Sequence, residues 1–214
     1  MISKHQLRAI KIAKELLREI PFWIKAKVKE KEVADKIREF LKKNRVEAAF
    51  RIIVASGKRS AKPHGFATNK VIKKGELVVV DFGVKCLGYC SDVTRTYVVG
   101  KATTKQKRIL TVVEKAQKKA ILTVKAGVEC RKVDQAARDF IIKKGFGKYF
   151  IHNTGHGIGK KVHEPPKISR KNWNLLREGE IITIEPGIYI KGWGGARIED
   201  MVLVTKGGAV VLTR

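Results

Sequence analysis

The sequence predicts an α+β fold with an internal pseudo-twofold duplication, its strands gathered into a shared sheet and its helices packed on one face. Three matches between the halves predict it. GELVVVDFG at 75 to 83 is answered by GEIITIEPG at 179 to 187: Gly, Glu, four largely apolar residues, an acid, one free position, Gly, recurring 104 positions later. Upstream, VKEKEVADKIREF from Val28 matches VECRKVDQAARDF from Val128, with Val, Val, Arg and Phe repeated 100 apart. Between these blocks VASGKRSAKPHG, which holds His64, has a counterpart in NTGHGIGKKVHE, which holds His163, shifted by 98 to 99. Self-similarity at a fixed period means one supersecondary unit used twice.

Each half opens with apolar residues at helical spacing: Ile10, Ala13, Leu16 and Leu17 in the first, Ile109, Val112, Val113, Ala116 and Ile121 in the second. A second helix is predicted over Glu32 to Lys43 and over Lys132 to Lys144, with Gly145 and Gly147 as its stop in the second copy. Strands follow. RIIVAS, LVVVDFG and TRTYVVG belong to the first half, GEIITIEP, RIEDMVLVT and AVVLT to the second, each β-branched and bounded by Gly. The half-repeats, about 3 to 100 and 101 to 214, make one domain, and the seam between them is the natural place for a site.

With 43% hydrophobic and 31% charged residues in 214, the chain is too apolar to be disordered, and it has no run approaching the roughly 18 apolar residues of a membrane span. The N-terminal stretch lacks an export-signal pattern, and three cysteines argue against a disulfide framework, so the expected compartment is the cytoplasm. Cys86 and Cys90 have no second pair to complete a soft metal site and read, with Cys130, as reduced thiols. The 47 Lys and Arg against 20 Asp and Glu give +27. Spread along the chain rather than gathered in one tract, this charge fits either nonspecific contact with nucleic acid or another polyanion, or a basic surface without a partner.

Asp81 and Glu185 end apolar strand runs at equivalent positions of the two copies. An isolated buried carboxylate costs several kcal/mol, so each must be protonated, paired or coordinated to metal. Each half adds a second acid on a neighbouring strand, Asp92 in CSDVTRTYVV and Glu199 in ARIEDMVLV, and the nearby Arg95 and Arg197 offset only part of the charge. Two divalent cations supply what is missing. His156, in a Gly-flanked loop of HNTGHGIG, offers a further ligand. Taken singly these residues have ordinary readings: strand-end acids, an exposed charge, a loop histidine, a Glu185 paired with Arg197. The duplication predicts that they meet across one axis.

At these residues the sequence resembles the pita-bread metallopeptidases, the creatinase and aminopeptidase superfamily, over essentially its whole length. DFG, SDVTRT, GHGIG, EPG and RIED carry the match. The resemblance implies a curved, mostly antiparallel sheet and a metal-ligand set of Asp81, Asp92, His156, Glu185 and Glu199. EPGIYI, RIED and PHG look like the Xaa-Pro peptidases, prolidase and aminopeptidase P, with a methionine-aminopeptidase-like enzyme as the second reading. A third is a basic peptidase-fold binding protein without catalysis; such members commonly lose ligands, and all five are intact. By the same resemblance His64, His152, His163, Tyr189 and Arg197 line the pocket for short peptide substrates. Glu185 would accept the proton of the attacking water, His163 would stabilise the oxyanion and His152 would sit near the proline side, while Arg197 would meet the substrate carboxylate or hold Tyr189. The cofactor implied is two divalent ions, with Mn or Co favoured and Zn, Fe or Mg compatible. The N-terminal domain typical of Xaa-Pro peptidases is expected to be absent, which leaves open the strictness for proline and the choice between monomer and homodimer.

Overall fold

The computed structural model describes residues 2–214. The first half runs α1 (Lys4–Trp23), α2 (Glu30–Lys43), β1 (Glu47–Ala48), β2 (Ile53–Ser56), β3 (Leu77–Phe82), β4 (Val84–Cys86), β5 (Tyr89–Cys90) and β6 (Val93–Val98). The second runs α3 (Thr104–Thr123), α4 (Cys130–Lys143), β7 (Gly155–Gly157), β8 (Glu164–Ile168), β9 (Ile181–Ile184), β10 (Gly187–Ile190), β11 (Gly194–Arg197), β12 (Asp200–Val204) and β13 (Ala209–Val211). Every strand pair is antiparallel among the described residues. No helix among them is long and apolar enough to cross a membrane.

Local signals start the first helix of each half. Ser3 Oγ accepts from the His5 amide at the head of α1, and Thr103 with Gln106 closes a reciprocal capping box at the head of α3. The second helices begin two residues earlier than their apolar spacing predicts, at Glu30 and Cys130. Distant carbonyls explain this: the Glu30 amide donates to Lys70 O at 3.0 Å and the Cys130 amide to Asn174 O at 2.9 Å, satisfying first-turn donors that no local cap covers.

The duplication extends to individual backbone bonds. Lys27 N to Ile72 O (2.9 Å) is matched by Gly127 N to Leu176 O (2.8 Å), and the bridge Lys29 to Val71 by Glu129 to Leu175. Both turns need a positive φ, 74° at Lys27 and 83° at Gly127. Glycine takes this conformation freely and lysine at a cost, so one copy has kept a residue that its backbone does not favour.

Period-two alternation decides which side chains reach the seam. Along β3, Val78, Val80 and Phe82 enter the core with residues of α1 and α2, which leaves Asp81 on the opposite face. Along β9, Ile182 and Ile184 enter the core with α3 and α4, and the next position of the opposite phase is Glu185. Among the described residues one ladder bridge joins the halves, Thr94 to Glu199, where the Glu199 amide donates to Thr94 O at 3.1 Å. A side chain supplies the next rung. The Thr96 hydroxyl donates to Arg197 O at 2.8 Å and accepts from Arg197 N at 3.0 Å. Among the described residues the ladders fall into four sheets of three, two, five and three strands, two in each half, rather than one shared sheet. RIEDMVLVT is two strands, because Arg197 pairs with Gly187 of β10 while Asp200 pairs with Ile184 of β9.

Candidate metal centre

Asp81 lies within β3, Asp92 between β5 and β6, Glu185 just after β9, and Glu199 at the break between β11 and β12. All four meet on the floor of a cleft of about 920 Å³. His156 joins them, but as the middle residue of β7 rather than in a loop. The flanking glycines permit it: a Cβ at Gly155 would stand 1.8 Å from Thr183 O, and one at Gly157 2.1 Å from Pro165 O. Only bare backbone lets β7 lie this close to its neighbours.

His156 Nδ1 donates to the Gly157 carbonyl at 3.0 Å, which turns the lone pair of Nε2 toward Glu185 Oε1 at 3.4 Å and Asp92 Oδ2 at 3.7 Å. Burial holds His156 down to about 4, so near pH 7 the ring is neutral and acceptor faces acceptor. Asp92, His156 and Glu199 offer ligand atoms within 4.8 Å of one another. Asp81 Oδ1 is buried without a hydrogen-bond partner among the described residues, while its Oδ2 accepts from Arg197 Nη2 at 2.6 Å. Glu199 Oε2 accepts from Thr94 Oγ1 at 2.7 Å. Surplus oxygen acceptors and one imidazole nitrogen in a buried pocket fit a hard or borderline divalent cation.

Desolvation pushes all four carboxyls up: Glu185 to about 7, Asp92 and Glu199 well above the ordinary range, where neighbouring acids add to burial, and Asp81 less far, because Arg197 opposes its burial. A carboxyl raised on folding contributes stability that is complete below its unfolded pKa and lost as pH climbs through the folded one. For Glu185, 4.5 to about 7 corresponds to on the order of 3 kcal/mol. His152 and His156, held down to about 4 by burial, act oppositely, and their contribution is complete above about 6.5. Metal-free protein is therefore expected to melt at lower temperature at pH 8 than at pH 6.5, and divalent metal is expected to reverse the trend. A calorimetric melting temperature that stays level or rises over this interval would contradict a floor of crowded acids.

Arg95 does not offset these charges. It pairs at 2.7 Å with Asp200, a fully buried acid also held by Thr213, Gln117 and Arg214. Arg197 pairs with Asp81 and not with Glu185. Four of its five N–H groups are engaged: Nη2 on Asp81, Nε on Thr94 Oγ1 at 3.1 Å, and Nη1 on Tyr189 OH at 2.7 Å and Pro63 O at 3.3 Å. Tyr189 is not on the cleft wall. It lies buried behind His152, with its hydroxyl 2.9 Å from His152 Nε2. His152 Nδ1 donates to Asn153 O at 2.7 Å, so both ring nitrogens are occupied by protein. His64, His152 and His163 line the cleft, and the His163 ring centroid is 4.3 Å from that of His156.

The profile of metallopeptidase family M24 matches residues 4–206. The chain belongs to family M24. The Xaa-Pro dipeptidase of Pyrococcus horikoshii is 50% identical over 187 residues, 87% of this chain and 53% of that protein. Among solved structures, the prolidase from Pyrococcus furiosus superposes with a TM-score of 0.97 at 44% identity, covering 100% of this chain and 65% of that one. The X-Pro aminopeptidase from Thermotoga maritima gives 0.95 at 40%, covering 99% and 58%. The chain thus spans about half the length of the curated relatives it matches. These neighbours carry the pita-bread architecture, with which the mix of helices and antiparallel sheets here agrees.

For this M24 chain the sequence reading missed Asp200, whose signal was its place directly after Glu199 in RIED. Fully buried and held from four sides, it anchors the first residue of β12 and so the break that presents Glu199 to the cleft.

Proposed function

We propose that this chain hydrolyses the peptide bond before proline in Xaa-Pro dipeptides or short peptides, with two divalent ions, Mn or Co foremost, held by Asp81, Asp92, His156, Glu185 and Glu199. The observation that carries the reading is the convergence of these five acceptors in one cleft, with the His156 lone pair turned toward Glu185 and Asp92 and an Asp81 oxygen buried without a partner among the described residues. The names of the relatives supply the substrate class. Divalent ions in such a site provide Lewis acidity and an activated water.

The chain's own groups account for the rest. Glu185 accepts the proton of the attacking water and returns it to the proline nitrogen as the C–N bond breaks. His163, on the cleft wall beside His156, donates to the carbonyl oxygen as negative charge develops there. His152, with both nitrogens engaged, presents its ring face to the proline side. Arg197 fixes Asp81 and Tyr189 in place, which favours its holding role over a direct grip on the substrate carboxylate. His64 lines the cleft from the first half. The three free, buried cysteines fit a reducing cytoplasm.

A peptide panel with metal titration tests this. Xaa-Pro cleavage is expected on adding Mn²⁺ or Co²⁺, and His163→Ala is expected to lower kcat by about 10²-fold. Metal-replete protein that leaves Xaa-Pro, Met-terminal and ordinary dipeptides all intact would overturn the proposal.

A further inference from the structure

We infer that Asp134 and Arg138 form a positioning clamp for His152, an inference that rests on the reading of His152 as a substrate-contacting residue. Both lie on α4, one turn apart and buried. Arg138 Nε donates to Asp134 Oδ2 at 2.7 Å and Nη2 to Oδ1 at 2.8 Å, a bidentate pair. Every further bond of the pair goes to the segment that carries His152. Arg138 Nη1 donates to Phe150 O at 3.1 Å and Nη2 to His152 O at 2.8 Å, while Asp134 Oδ1 accepts from the amide and hydroxyl of Thr154 at 3.1 and 2.8 Å. The guanidinium also covers the Phe150 ring at 4.1 Å, and that ring meets His152 edge-on at 5.2 Å. Alternate residues 150, 152 and 154, which lie outside any helix or strand, are thereby tied to one rigid helix. A shift of this main chain would carry the His152 ring away from the Tyr189 hydroxyl that orients it.

The first half anchors the matched position with a different buried acid. Glu30 of α2, fully buried, accepts from the amide and hydroxyl of Ser56, each at 2.8 Å, and from Thr68 Oγ1 at 2.8 Å, and it pairs with Arg59. Ser56 and Thr154 are 98 positions apart, the offset that relates the two loops, whose own cleft histidines are His64 and His163. The equivalent of Arg138, however, is Arg38, which is half-exposed and paired with Asp35. The clamp is therefore not a residue-for-residue relic of duplication. Each half has a buried helix acid that holds the hydroxyl residue at the matched position, and only in the second half does the pair also hold the main chain of a cleft histidine.

The test is a double-mutant cycle. Asp134→Asn is expected to lower kcat/KM on an Xaa-Pro dipeptide by about 10-fold, with most of the loss in kcat, because a misplaced contact costs the reaction more than ground-state binding. In a His152→Ala background the same substitution is expected to change kcat/KM by less than about 2-fold, since the group it positions is gone. Independently of metal and substrate, the ¹⁵N imidazole signal of His152 Nε2, which accepts from the part-buried Tyr189 hydroxyl, should shift from its wild-type position in Asp134→Asn. Equal losses in both backgrounds, or an unchanged imidazole signal, overturn the clamp. If Asp134→Asn does not fold, Thr154→Val, which removes one hydroxyl, takes its place in both measurements. A wild type inert on Xaa-Pro peptides defeats the proposed reaction, and the imidazole signal then decides the clamp alone.

Discussion

Asp92→Asn and, separately, Glu199→Gln are expected to lower hydrolysis of an Xaa-Pro dipeptide by at least about 10³-fold at saturating metal, because each removes a charged ligand while leaving its volume filled. The two acids share a triad with His156 whose ligand atoms all lie within 4.8 Å. An amide in place of either carboxylate lowers the negative charge that attracts a cation and puts an N–H₂ donor among the acceptors. Folding should survive, since a neutral amide is easier to bury than the carboxylate it replaces. Titration calorimetry should show divalent metal binding in the wild type and its loss or marked weakening in both variants. Asp35→Asn, at an exposed pair with Arg38, serves as the control and should behave as wild type in both measurements. Either floor variant retaining activity within about 10-fold of wild type would separate this cluster from catalysis.

Arg197→Met is expected to cost about 3 to 5 kcal/mol of unfolding free energy in metal-free protein near pH 7, the range for removing one partner of a buried ion pair. The residue is 3% exposed and Asp81 is 8% exposed, so water cannot readily replace the lost donor. Loss of Arg197 also strips Tyr189 OH of the guanidinium donor that orients it toward His152. Arg197→Lys should recover little, because one ammonium cannot span Asp81, Tyr189 and Thr94 as a planar guanidinium does. Part of the stability should return when Asp81→Asn is added to Arg197→Met, since the buried charge then disappears. A loss under about 1 kcal/mol in urea unfolding would mean that Asp81 is already protonated in the folded state and that the pair is not ionic.

The two helical patterns of each half, the apolar strand runs LVVVDFG and GEIITIEP, and the internal repeat were all legible because each is local or periodic. Five acceptors in motifs of the M24 pattern were legible for the same reason. Partner choice was not. Arg95 stands three residues from Asp92 in the sequence, yet its guanidinium turns to Asp200; Arg197 lies closer in the sequence to Glu185 than to Asp81 and pairs with Asp81. Tyr189 looked like a wall residue and is instead the support behind His152. Asp134 and Glu30 gave no signal at all, because a buried acid on a helix looks in sequence like any solvated one.

By itself the sequence determined that two like units would each bury an apolar helix face against strands, and that each would place an acid at the same phase of an apolar run. Periodicity fixes which side of an element is apolar, and that much follows from the chain alone. Only the tertiary structure decided which acids face one another, which arginine neutralises which carboxylate and which histidine is held by which helix. The first two choices depend on contacts between residues about a hundred positions apart and the third on how a loop docks against its helix, so a shift of one strand register or one helix turn exchanges partners while leaving every local pattern intact.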